Sequence, residues 1–147
     1  MDRIRENFTE SIQTKIAAAE VLSESIQTAA QMLAICLLNG NKILACGNGA
    51  SAALAQLFVS HLMSRFETAR PSLPAIALTC DGNLMSSLSH YGKFEDVYAH
   101  QIRALGQQGD ILVLITTEED NRELIHAAEA ALSRDMTMVI LNTGYGG

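Results

Sequence analysis

Ile111-Leu112-Val113-Leu114-Ile115 is an unbroken apolar run set between Gly109-Asp110 and Thr116-Thr117. A strand with one wet face alternates apolar and polar side chains. This run does not alternate and is too short for a buried helix, so it predicts a strand covered on both faces, in the middle of a parallel sheet. Outward from it, Lys42 to Cys46 (KILAC) predicts a second apolar strand; Gly47-Asn48-Gly49 breaks it, and Ser51 opens an alanine-rich helix running to about Phe66. Pro71 and Pro74 bracket a loop before a strand at Ala75 to Leu78. Asp81-Gly82 then turns the chain into one or two helices between Leu84 and Leu105. A helix from Asn121 to Ser133 and a strand from Met136 to Leu141 complete an alternation of strand and helix, which predicts an α/β fold with a doubly wound parallel sheet.

Upstream of the first strand, Ile4, Phe8, Ile12 and Ile16 recur every fourth position, continued by Ala19 and Leu22, while Glu6, Glu10 and Lys15 fall elsewhere. A second helical stretch carries Ile26, Ala30, Leu33 and Leu37 and is ended by Asn39-Gly40-Asn41. The expectation is an N-terminal helical pair over residues 1–40, followed by the sheet domain over residues 41–147. With no strand before it, the pair must lay its apolar stripe on the domain flank or on another subunit.

With 147 residues, 48% of them apolar, the chain has the size of one domain with its own core. Ten basic against sixteen acidic residues leave a net charge of -6. That balance repels a phosphate backbone, so any link to DNA has to run through a partner protein. Cys36, Cys46 and Cys80 are odd in number, widely spaced and set in apolar runs. They form neither a disulfide framework nor a zinc pattern, and a reducing cytoplasm suits them. No apolar run approaches the ~18 residues a membrane span needs, and MDRIRENFTESIQ lacks the apolar core of a signal peptide. A cytoplasmic protein without cofactor or membrane contact is expected.

In a parallel sheet, ligands bind beyond the carboxyl ends of the strands. Two loops reach that place. Cys46-Gly47-Asn48-Gly49-Ala50-Ser51 has glycines that can bring backbone close to a ligand, with Ser51 either capping the helix or donating to a phosphate oxygen. The second begins with the hydroxyls of Thr116 and Thr117 and continues as Glu118-Glu119-Asp120, three acids where an anion would sit. Asp120 and Glu123 have the spacing of a capping box. A phosphate ~4 Å from one of these carboxylates meets a repulsion of about 1 to 4 kcal/mol, depending on how wet the site is. His100 and His126 have no partner at metal-ligand spacing and read as surface or packing residues.

The blocks CGNGASAALAQLF, SRFETARPSLPAIAL, DVYAHQIRALGQQGDILVLITT and MTMVILNTGYGG resemble the sugar-isomerase (SIS) proteins, specifically their phosphoheptose isomerase branch, along essentially the whole chain. Within that branch the chain is most similar to the initiator-associating proteins. The resemblance implies a flavodoxin-like SIS domain assembled as a homotetramer, a dimer of dimers. It also implies a part in the timely initiation of chromosome replication by binding several molecules of the initiator DnaA. Carried over position by position, the first substrate loop survives at Asn48, Gly49, Ala50 and Ser51. The helix positions of a metal-binding histidine and a catalytic glutamate are Leu57 and His61. The family's Asn-Asp pair falls at His90 and Tyr91, and its second phosphate loop is Thr116 to Asn121, with only two hydroxyls left. The expected site is therefore residual: Asn48, Gly49, Ala50, Ser51, Thr116 and Thr117 for a weakly held phosphosugar, with no catalytic residue and no metal. The alternatives are an active isomerase of sedoheptulose 7-phosphate and a phosphosugar-binding sensor. Family members continue past the double glycine with another strand and a long helix, so an interrupted chain is expected at Gly147.

Overall fold

A computed structural model of the chain describes residues 2–118 and 120–143. The glycine-rich ending from Gly144 onward, and Glu119 in the acidic run, lie outside the described residues. Two units are compact by themselves, Met1–Ala34 and Ile35–Gly147.

The first unit belongs to one continuous helix, α1 (Asp2–Leu38), rather than to a helical pair. Between the two apolar stretches stand Ser23, Glu24 and Ser25, polar but neither glycine nor proline, and nothing there costs the ~1 to 3 kcal/mol that breaks a helix. The Ser23 and Thr28 hydroxyls donate to the carbonyls of Ala19 and Glu24, one turn back, and so satisfy themselves on the helix. Ile4, Phe8, Ile12 and Ile16 are each more than half exposed along its face. By length and composition α1 is apolar enough to cross a membrane. The expectation that no continuous apolar run approaches that length rests on a stricter criterion, since Ser23, Glu24, Ser25, Gln27, Thr28 and Gln31 interrupt the run. Gly40 ends the helix at φ 78, where the Asn39, Gly40 and Asn41 N–H groups donate back to the carbonyls of Ile35, Leu37 and Cys36.

The second unit carries β1 (Ile43–Gly47), α2 (Ala50–Met63), β2 (Ala75–Ala77), α3 (Gly82–His90), a 3-10 turn at Phe94–Asp96, α4 (Val97–Leu105), β3 (Ile111–Ile115), α5 (Arg122–Ser133) and β4 (Thr137–Leu141). All four strands are parallel in the order β2-β1-β3-β4. β1 and β3 lie side by side in the centre, and every residue of both is buried, as their unbroken apolar runs predict. Leu44, Cys46, Leu112 and Leu114 join Val97, Tyr98, Ile102, Leu124 and Ala127 in a core under α4 and α5. Alternation sends Ile43, Ala45 and Val113 to the other face, the one α2 covers with the buried Ala55 and Val59. At the β4 edge Ile140 and Leu141 are about half exposed.

A buried carboxylate fixes the strand starts. Asp110, 1% exposed, accepts the Lys42 N–H at 3.0 Å and the Lys42 ammonium at 2.5 Å, together with the Gln107 N–H at 2.9 Å and the Asn41 amide at 3.2 Å. Burial alone would raise its pKa; the donors from Lys42, Gln107 and Asn41 outweigh burial and hold it below the ordinary 3.8. Removing the carboxylate strands a partly buried ammonium and two backbone N–H groups. Asp110→Ala is therefore expected to cost about 3 to 5 kcal/mol in urea-monitored unfolding. Because folding lowers this pKa, the unfolded chain takes up the proton first. The contribution of Asp110 is present above the unfolded value of about 4 and drains away as pH falls through the folded value, so Asp110→Asn should show a flatter stability curve than the parent in that range.

Candidate functional site

The strand order sets the location. β1 leads through α2 outward to β2, whereas β3 leads through α5 to β4 on the opposite side, so the chain reverses direction between β1 and β3. At such a switch point the loops leave in opposite directions and open a crevice beyond the strand ends. A cleft of about 170 Å³ lies there, lined by Asn48, Gly49, Ala50, Ser51, Thr116, Thr117, Glu118 and Asn121. The six residues read from the two loops are brought together in it. The loops are distant in sequence and meet because β1 and β3 pair directly, with Gly47 opposite Ile115.

Gly47 makes that meeting possible. A Cβ there would stand 2.6 Å from the Ile115 carbonyl oxygen and 2.8 Å from the Ser51 Cβ, closer than atoms approach, so only glycine lets the two loops converge. Gly49, at φ 56, is the residue before α2, and no side chain caps that helix. Ser51 accordingly does not cap α2 but sits within its first turn, 5% exposed. The capping box expected of Asp120 and Glu123 does not form either. Asn121 is the cap of α5: its Oδ1 accepts the Leu124 N–H at 3.1 Å, the bond that a residue three positions before the donor is placed to make.

This cap orients a network behind the cleft. Since Asn121 Oδ1 is an acceptor, the Asn48 group 3.1 Å from it is the Nδ2 donor, which also lies 3.5 Å from Glu123 Oε2. Asn48 Oδ1 then faces Tyr98, whose hydroxyl lies 2.7 Å from it and 2.7 Å from the Gly47 carbonyl oxygen. Burial, with Cys46 and Glu123 nearby, pushes the Tyr98 phenol up, so it keeps the proton that it donates. The side chain of Asn48 is thus engaged between the two loops. Thr116 is engaged as well: its hydroxyl donates to the Glu118 carbonyl at 2.9 Å and accepts the Glu118 N–H at 3.0 Å. Tyr98 escapes a reading of the sequence because a tyrosine inside an amphipathic helix has an ordinary structural use, whereas the glycines of the first loop, Gly47 among them, are read there as letting backbone come close.

Leu57 is half exposed on α2, and the His61 ring packs on Phe66 with centroids 5.1 Å apart. Among the described residues no group of three or more His, Cys, Asp and Glu is placed to hold a metal, and Leu57, at the position of the metal-binding histidine, has no lone pair to offer one. His126, read as a surface or packing residue, bonds Asp96 through Nδ1 at 3.0 Å and links α5 to the turn before α4.

A family model described as SIS domain matches residues 7–142. The chain belongs to the SIS domain family. It is 54% identical over its whole length to the DnaA initiator-associating protein of Photorhabdus laumondii, covering 74% of that protein. It is equally similar, at 54%, to a phosphoheptose isomerase of Shewanella frigidimarina, of which it covers 75%. Among solved structures, a phosphoheptose isomerase from Francisella tularensis matches with a TM-score of 0.94 and 42% identity, across 99% of this chain and 76% of that one. The α/β SIS fold expected from the sequence is therefore the fold found.

Tyr98→Phe removes the donor shared by Asn48 and Gly47 and leaves buried acceptors unmet. It is expected to cost about 1 to 3 kcal/mol in denaturant unfolding and to speed amide exchange at Gly47 to Ser51, with the rest of the sheet unchanged.

Proposed function

We propose that this SIS-domain protein acts without catalysis, binding the replication initiator DnaA in the cytoplasm and promoting timely initiation of chromosome replication. The observation that carries this reading is the pair Leu57 and His61 on α2. An aldose–ketose isomerase needs a base to move a proton between adjacent carbons. His61, at the position of the catalytic glutamate, has no carboxylate and packs on Phe66, and Leu57, at the position of the metal-binding histidine, has no lone pair for a metal. Relatives of both names are equally identical to this chain, so the preference rests on these side chains.

An assembly of several copies, a homotetramer in this proposal, can hold several initiator molecules and raise their effective concentration with no chemistry. The apolar face of α1 supports such assembly, since Ile4, Phe8, Ile12 and Ile16 are exposed in the single chain. A net charge of -6 supports contact with protein rather than directly with DNA. The second reading, a phosphoheptose isomerase, is favoured by the surviving loop Asn48 to Ser51 in the cleft.

Purified, folded and oligomeric protein is expected to retain DnaA in a pull-down and to leave sedoheptulose 7-phosphate unchanged with zinc added. Failure to retain DnaA overturns the proposal. Turnover that disappears in His61→Ala establishes the isomerase instead.

A further inference from the structure

The cleft still has open groups once the structural network is subtracted. Asn48, Asn121 and the Thr116 hydroxyl are engaged. Ser51 is 5% exposed and lines the cleft, and its hydroxyl has no hydrogen-bond partner among the described residues. No fully buried polar side-chain atom among the described residues lacks a partner, so the Ser51 hydroxyl is open to the cleft. Thr117 lines the same space, and α2 begins there at Gly49 and Ala50 without a side-chain cap. These groups donate hydrogen bonds. Glu118 lines the same cleft, an exposed residue whose carboxylate takes a long 3.4 Å contact from Asn121 Nδ2 and can accept further bonds.

We propose that Glu118 sets the ligand class of this cleft, closing it to phosphate esters and selecting an uncharged ligand with neighbouring hydroxyls. A phosphate offers mainly acceptors and negative charge. It would satisfy Ser51 and the start of α2 while lying against a carboxylate that repels it. A guanidinium or ammonium offers only donors; it would satisfy Glu118 but meet the positive end of α2. A hydroxyl both donates and accepts. One hydroxyl can accept from Ser51 while its neighbour donates to Glu118, so a small polyol uses the cleft's donors and its acceptor together, and the volume of about 170 Å³ suits a small ligand. This selection does not depend on initiator binding.

The test is amide NMR titration of the whole chain with ribitol and, separately, with inorganic phosphate, in the parent, Glu118→Gln and Ser51→Ala. In the parent, ribitol should shift the amides of Gly49 to Ser51 and Thr117, and phosphate at the same concentration should not. Glu118→Gln should bind phosphate at least about tenfold more tightly than the parent, and ribitol more weakly. Ser51→Ala should lose the ribitol response while keeping a native spectrum. Equal phosphate binding by the parent and Glu118→Gln overturns the proposal, as does a parent that shows no ribitol shifts.

Discussion

Asp110 holds the two central strands in register, and the site depends on that register. Its carboxylate is almost fully buried at the start of β3 and binds both the backbone and the ammonium of Lys42 at the start of β1. Ile43 then pairs with Ile111, and the pairing runs on to Gly47 opposite Ile115. A slip of one residue would move every side chain of a strand to the other face of the sheet. It would also move Gly47 away from the point where a Cβ cannot fit. The charged clamp at one end of the strands thus determines which backbone atoms meet at the other.

What meets there is mostly structure. Tyr98, Asn48 and Asn121 form a chain of hydrogen bonds that ties α4, the loop after β1 and the cap of α5 together. Such a network is rigid because each amide has one orientation that satisfies all its neighbours. It also reduces the number of side chains that can face a ligand. The free chemistry of the cleft is narrower than its lining suggests.

The departures from the isomerase pattern converge physically. An apolar side chain stands at an expected site position on α2, and a carboxylate stands in the cleft. The first takes a metal ligand out of that pattern. The second puts a negative charge in the cleft lining. Neither disturbs the sheet, since Leu57 and Glu118 are both exposed and stand outside the buried core. A fold held by β1, β3 and the helices over them can therefore keep its shape while the cleft changes its chemistry.

Apolar continuity alone determined the central strands: ILVLI and KILAC have no polar face to offer water, and the alternation with helices made the sheet parallel. The same reading placed both loops at the strand ends, because chain direction in a parallel sheet leaves no other place for them. The N-terminal region was legible as helical but not as one helix, since a helix runs through a polar stretch when nothing in it breaks the backbone. Only the tertiary structure decided that Asn121 rather than Asp120 caps α5, that Ser51 lies inside a helical turn, and that Thr116 satisfies itself. Each of these depends on which N–H group a side-chain oxygen can reach, and that distance follows from how β1 and β3 bring the two loops together.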